Sequence, residues 1–212
     1  SHLTGNGAHF HMSLWDKGSG NNLFYDESDP NGLSKMAYHW IGGLKAHAKA
    51  AIAVTAPSVN SYKRLIAGTP RSGASWAPVY ISYGGNNRTQ MLRLPGPGRV
   101  EDRTIDGSCN PYLAAAVTLA AGLDGIRREL PAGEPNHLNM YEVPTETLRE
   151  LHVDILPETL YDALNELEKD EVIQNALGDE YAKAYIHAKR EEWKEYHNNV
   201  SQWEIDHYLN IH

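Results

Sequence analysis

Two short stretches of the chain carry more polar chemistry than a folded surface needs. In Gly5-Asn6-Gly7-Ala8-His9-Phe10-His11-Met12-Ser13 the imidazoles and the hydroxyl fall at period two, with Phe10, Met12 and Leu14 between them. A strand would therefore aim His9, His11 and Ser13 to one side, and the glycines would let backbone amides approach a ligand closely. Two histidines at i and i+2 can share a metal ion, or one can bind it while the other touches a ligand. The same spacing also fits a hydrogen-bonded, half-exposed polar strand face. In Arg99-Val100-Glu101-Asp102-Arg103, period two again sets Arg99, Glu101 and Arg103 on one face, which alone reads equally well as an ion-pair ladder. Arg88 and Arg93 lie just upstream, however, and Arg64 follows Asn60-Ser61-Tyr62-Lys63. Arginines converging in that number on one carboxylate repel one another unless anions fill the space between them. Guanidinium groups match carboxylate and phosphate oxygens in pairs, so such a pocket suits phosphoryl transfer beside an acidic substrate. A glutamate there suits Mg²⁺, and a neighbouring histidine tilts the preference toward Mn²⁺.

These residues need elements to hold them. The alternation over the first fifteen residues predicts a strand, and Lys17-Gly18-Ser19-Gly20-Asn21-Asn22 a turn leading to a second strand at Leu23-Phe24-Tyr25. From Leu33 the spacing becomes helical, with Leu33, Met36, Ala37, Trp40, Ile41 and Leu44 in one stripe that continues until Pro57. Gly42-Gly43 either weakens that helix or lets another element approach it. Residues 67–78 have loop composition. Strands are predicted near Val79–Tyr83, Arg88–Leu94 and Arg99–Thr104. Asn110 suits an N-cap and Pro111 the first position of a helix running to about Leu130. The remainder reads as helical, with one amphipathic segment at Leu160, Ala163, Leu164 and Leu167 and a longer one from Tyr181 to Tyr196. Strands come first and helices dominate later, so the fold class is α+β. His39, His47 and the histidines of the tail are read as structural or solvated.

Composition limits the partners. At 212 residues and 41% hydrophobic, the chain supports one domain, and a net charge of -8 argues against a nucleic-acid surface. The single cysteine, Cys109, favours a reducing cytosol, and no apolar run approaches the roughly 20 residues of a membrane span. The opening Ser1-His2-Leu3 without an initiating Met reads as a piece of something longer.

Gly5-x-Gly7-x-His9-x-His11-x-Ser13, Asn60-Ser61-Tyr62-Lys63-Arg64-Leu65, Asn87-Arg88 and Asn110-Pro111-Tyr112-Leu113 resemble, in order and spacing, the catalytic-domain signatures of glutamine synthetases. The likeness continues through Ala120-Ala121-Gly122-Leu123-Asp124-Gly125-Ile126. It implies that residues 1–212 are the C-terminal portion of an antiparallel-sheet catalytic domain, with a helical segment from about 134 onward and the N-terminal domain and further metal-binding glutamates upstream. It also implies roles. His9 and Glu101 would be metal ligands, and His11 and Ser13 would line the nucleotide pocket. Arg64 and Arg103 would hold glutamate with Gly5 and Gly7 lending backbone contacts, while Arg88, Arg93 and Arg99 would neutralise the phosphate chain, with Arg88, Arg99 and Arg103 acting in catalysis. ATP, Mg²⁺ or Mn²⁺, glutamate, and ammonia or a small amine would be the participants, in a cytoplasmic, ring-shaped, dodecamer-like homo-oligomer.

The sequence also departs from the family. Trp76 stands before Ala77-Pro78 where glutamine synthetases place a glutamate, and Thr4 replaces a common asparagine. Ser72-Gly73-Ala74-Ser75-Trp76 and Pro95-Gly96-Pro97-Gly98-Arg99 look like the branch holding type III glutamine synthetases and γ-glutamylmethylamide synthetases, which makes methylamine an alternative acceptor. A glutamine-synthetase-like scaffold without turnover is the alternative from a different class.

Overall fold

The computed structural model describes residues 5–65, 67 and 78–209. The expectations attached to Thr4 and to Trp76 in its loop lie outside these residues. Among the described residues, β1 (Phe10–Met12), β5 (Arg99–Asp102), β4 (Leu92–Gly96) and β3 (Tyr83–Gly84) form one sheet in that order, and β2 (Tyr80–Ile81) pairs with β6 (Asp154–Ile155). The helices are α1 (Lys35–Ala46), α2 (Ala48–Thr55), α3 (Val59–Tyr62), α4 (Pro111–Arg127), α5 (Thr145–Glu150), α6 (Leu160–Leu167), α7 (Glu171–Leu177), α8 (Asp179–His197) and α9 (Gln202–Tyr208). The α+β expectation holds: β1–β5 and β4–β5 are antiparallel. The parallel pairing of β3 with β4 was not foreseen; it involves only Tyr83 opposite Leu92 and Gly84 opposite Arg93.

The predicted stripe is the buried face of α1, where Ala37, Trp40, Ile41 and Leu44 are sealed from water. Ser34 caps that helix, accepting a hydrogen bond from the Ala37 amide. The expected single helix to Pro57 divides at His47, whose ring turns inward to the carboxylates of Asp124 and Asp170. Gly43 is a point of contact rather than of weakness: a Cβ there would overlap the backbone of α4 at Ala121 and Gly125, and a Cβ on Gly122 would overlap the Trp40 ring. The helices thus meet backbone to backbone. Asn110 caps α4 by accepting from the Tyr112 and Leu113 amides, with Pro111 at its first position as predicted.

The strands are shorter than the alternation suggested. β1 covers only Phe10–Met12, although Ala8 donates to the Ile105 carbonyl and Gly7 bridges Asp106, so the ladder continues irregularly. The strand predicted near Val79–Tyr83 breaks at Ser82 into β2 and β3. β4 begins at Leu92 because Asn87 closes a turn on the Thr89 amide and hydroxyl. No second strand forms at Leu23-Phe24-Tyr25; a bridge between Trp15 and Asn22 closes a turn organised by the Asp16 carboxylate. The tail expected to be helical from about 134 has no helix before α5 at Thr145; from there it is mainly helical, interrupted by β6 and short loops, and α8 is tied to the core through the Tyr185 hydroxyl, which donates to the Ala53 carbonyl at 2.8 Å.

Candidate functional site

Register assembles the site. β1 sets His11 opposite Glu101 and β4 sets Arg93 opposite the same residue, so His11, Glu101 and Arg93 form one row across three strands. Period two brings His9 and Arg103 to that side of the sheet. The Glu101 side chain is 1% exposed. Its Oε2 accepts from Arg93 Nη1 and its Oε1 from Arg103 Nη1, each at 2.7 Å. Oε1 also lies 3.3 Å from His9 Nδ1 and 3.9 Å from His11 Nε2, and both imidazoles stand at the open rim.

The electrostatics follow from this packing. Burial alone would raise the Glu101 carboxyl, but the Arg93 hydrogen bond and the charges of Arg103 and Arg93 outweigh it and hold the group below its ordinary value. Burial lowers the His9 imidazole, and the charge of Arg103 lowers it further against the pull of Glu101. A charged carboxylate beside an imidazole biased to its neutral form is a donor pair suited to a hard or borderline divalent cation. Among the described residues no group of three or more His, Cys, Asp or Glu side chains converges on one point. An ion held by His9 and Glu101 would therefore complete its shell with oxygens from elsewhere.

Arg64 is held beside this row. Its Nη2 donates to the Thr104 carbonyl at 2.9 Å and its Nε stands 3.5 Å from Asp106 Oδ2, with both side chains buried. The glycines at the chain start make room for it: a Cβ on Gly5 would overlap the Arg64 methylenes, and one on Gly7 would lie 3.5 Å from Nη1. The charge of Arg64 reaches His9, as that of Arg88 reaches Arg103. Arg99 is exposed at the hairpin end opposite Gly96, and Ser13 lies just past β1, where its hydroxyl accepts from Trp15 Nε1 at 2.9 Å. The structure thus brings His9, His11, Arg93, Glu101 and Arg103 together, places Arg64 with Gly5 and Gly7 alongside and Arg88 within reach, and leaves Arg99 and Ser13 at the flanks.

Sequence reasoning missed Asp106 and Thr104, which seat Arg64. The available signal was the Asp-x-Ser pattern at Asp106-Gly107-Ser108, since Asp106 Oδ1 accepts from both the Ser108 amide and its hydroxyl. Two motif residues proved to have local backbone duties: Asn87 in its turn, and Ser61 in a capping box with Ser58 at the start of α3.

Comparison with known proteins bears on the family and the fold. The family model "Glutamine synthetase, catalytic domain" matches residues 1–208. A glutamate–methylamine ligase of Methyloversatilis universalis is 50% identical over 211 residues, covering 99% of this chain and 47% of the relative. A glutamine synthetase of Rhizobium meliloti is 45% identical over 202 residues, covering 95% of the chain and 46% of the relative. A solved structure described as "GmaS/ADP complex-Conformation 1" superposes with a TM-score of 0.88 at 47% identity, covering 98% of this chain and 47% of that one. The chain spans about half the length of the curated relatives it matches. With a catalytic-domain model matching nearly its whole length and a sheet that gathers the motif residues into one site, the chain belongs to the glutamine synthetase family.

Proposed function

We propose that the protein is an ATP-dependent ligase that joins the γ-carboxylate of glutamate to ammonia or a small amine through γ-glutamyl phosphate. The observation that carries this reading is the Glu101 carboxylate, buried yet charged, between two arginines and an imidazole biased to its neutral form. A surface ion-pair ladder does not need a sealed carboxylate with open imidazoles at its rim. Similarity to a structure described as an ADP complex supports an adenine nucleotide as a participant.

His9 and Glu101 would hold a divalent cation, Mg²⁺ or Mn²⁺, which when bound would supply positive charge to offset that of the phosphates. The chain's own residues do the rest. Arg64 and Arg103 hold the carboxylates of glutamate, with the Gly5 and Gly7 backbones beside them, and His11 and Ser13 line the nucleotide. Arg88, Arg93 and Arg99 neutralise the phosphate chain, Arg88 and Arg99 together with Arg103 bearing on the transferring group. A γ-carboxylate oxygen takes the terminal phosphoryl group as the bond to ADP breaks. The amine nitrogen then attacks the carbonyl carbon and the C–O bond to phosphate breaks, the departing phosphate or solvent taking the proton that the nitrogen gives up, so that an amide and inorganic phosphate leave. Holding the reactants in line contributes much of the acceleration.

Methylamine is the acceptor favoured by a specific observation: the relative that is 50% identical is a glutamate–methylamine ligase. Trp76 in the sequence, where the family places a proton-accepting glutamate, points the same way. A large ring-shaped homo-oligomer belongs to the same proposal, and light scattering of the purified protein measures it. The test of the activity uses full-length protein with ATP, glutamate and Mg²⁺ or Mn²⁺, following phosphate release with ammonium, methylamine or no amine. Amine-dependent release with a higher kcat/KM for methylamine is expected. No phosphate release with any amine, while ATP still binds, would favour the scaffold alternative.

A further inference from the structure

We infer that Asp106 is a positioning residue for Arg64 and, through it, a determinant of glutamate affinity. The inference rests on the reading of Arg64 as a holder of glutamate. Arg64 sits on the short segment after α3, at the end of a long, rotamer-rich side chain that gains nothing from its charge unless its head group is fixed. The turn after β5 contributes to that fixing. Arg64 Nε faces Asp106 Oδ2 at 3.5 Å and Nη2 donates to the Thr104 carbonyl at 2.9 Å. Both members of the ion pair are more than nine-tenths buried, so neither is a solvated surface charge.

Asp106 is in turn immobile. Its other oxygen, Oδ1, accepts from the Ser108 amide at 2.9 Å and hydroxyl at 2.7 Å, and from Asn6 Nδ2 at 3.4 Å. Its backbone amide donates to the Thr55 carbonyl at the end of α2 at 2.8 Å, and its backbone bridges Gly7. Backbone and carboxylate of this one residue therefore tie together the end of α2, the glycine-rich entry to β1 and the turn before α4, and the remaining carboxylate oxygen faces Arg64. Opposite that oxygen, the missing side chain of Gly5 leaves the groove that the Arg64 methylenes fill. An acid needed only to neutralise a buried arginine would not require so many ties of its own. An acid that sets the direction of a guanidinium does.

The test is a double-mutant cycle in full-length protein, with KM for glutamate, KM for ATP and kcat measured for wild type, Asp106→Asn, Arg64→Ala and the pair. Asp106→Asn is expected to raise the KM for glutamate about tenfold while the KM for ATP stays within about twofold. In the Arg64→Ala background the same change is expected to alter the glutamate KM by less than about twofold, because the positioned group is gone. Equal effects in both backgrounds, or a parallel rise in the ATP KM, overturn the proposal and leave Asp106 a folding residue. A glutamate KM raised by Arg64→Ala but untouched by Asp106→Asn sinks the positioning role alone. An Arg64→Ala enzyme with unchanged glutamate KM removes the underlying role of Arg64, and the proposal with it. If Asp106→Asn does not fold, Asp106→Glu keeps the charge and moves it by one methylene. A raised glutamate KM is expected there too, and an unchanged one contradicts the proposal.

Discussion

At the scale of residues, Glu101 stays ionised although it is almost sealed from water. Two guanidinium groups meet its two oxygens, and their attraction exceeds the cost of burial. Its neutral isostere loses that balance and leaves Arg93 and Arg103 facing each other without a counter-charge. Glu101→Gln is therefore expected to lower kcat by about 100-fold or more and to shift the Mn²⁺ activation curve to higher concentration; steady-state assays across a metal titration measure both. An unchanged metal requirement would separate Glu101 from the cation. Gly5→Ala carries a Cβ into the space of the Arg64 methylenes and is expected to raise the glutamate KM several-fold while the ATP KM holds, as initial-rate kinetics would show. Period two identified which side chains share a face, and motif spacing identified which to watch. Neither revealed that His11 and Arg93 lie in one row with Glu101, because cross-strand register is fixed by pairings remote in sequence. Arg99 was grouped with the others by the same periodicity, yet it sits exposed at the hairpin end where the strand runs out.

Elements hold that row in place, and the seam between α1 and α4 is built from missing side chains. Gly43 and Gly125 lie so close that either Cβ would strike the other helix's backbone. Gly43→Ala is expected to destabilise the fold by about 1–3 kcal/mol in chemical denaturation, with a normal denaturation midpoint as the contrary result. Behind the seam, His47 joins α1 and α2 to α4 and α7. Its Nδ1 meets Asp170 Oδ2 at 2.6 Å and its Nε2 meets Asp124 Oδ2 at 2.9 Å, while Arg128 Nη1 meets the same Asp124 oxygen at 3.0 Å. Ionised carboxylates only accept, so bonds to both of them call for a proton on each ring nitrogen and favour the cationic form. Burial works to lower its pKa, but the bonds to Asp170 and Asp124 outweigh burial and raise it above 6.5. The resulting stabilisation is full below the pKa of the unfolded imidazole and fades as pH rises through the higher folded value. The gap in unfolding free energy between wild type and His47→Gln is thus expected to shrink as pH rises above about 6.5. A gap that stays constant or widens over that range contradicts the cationic assignment. The α1 stripe and the Asn110 cap were legible in the sequence because they are local patterns. The break at His47 was not, since its cause is two acids brought in from 77 and 123 residues away.

On the scale of the whole molecule, a chain with net charge -8 sets Arg93 and Arg103 on either side of one buried carboxylate in a small sheet, with Arg64 alongside. Such an arrangement would attract polyanions locally without making the surface basic. Among the described residues no helix is long and apolar enough to cross a membrane. The α+β class was legible from the succession of strands and helices. The parallel β3–β4 pair and the β2–β6 ribbon were not, because each is only two residues long and is set by tertiary contacts. The central claim is that this arrangement passes a phosphoryl group to the γ-carboxylate of glutamate before the amine arrives. Oxygen tracing tests it most directly. Full-length protein is supplied with ATP, a divalent cation, methylamine or ammonium, and glutamate carrying ¹⁸O in its γ-carboxylate, and the released phosphate is analysed by mass spectrometry. The account predicts one ¹⁸O atom in each phosphate formed with amide; phosphate released without that oxygen would contradict it.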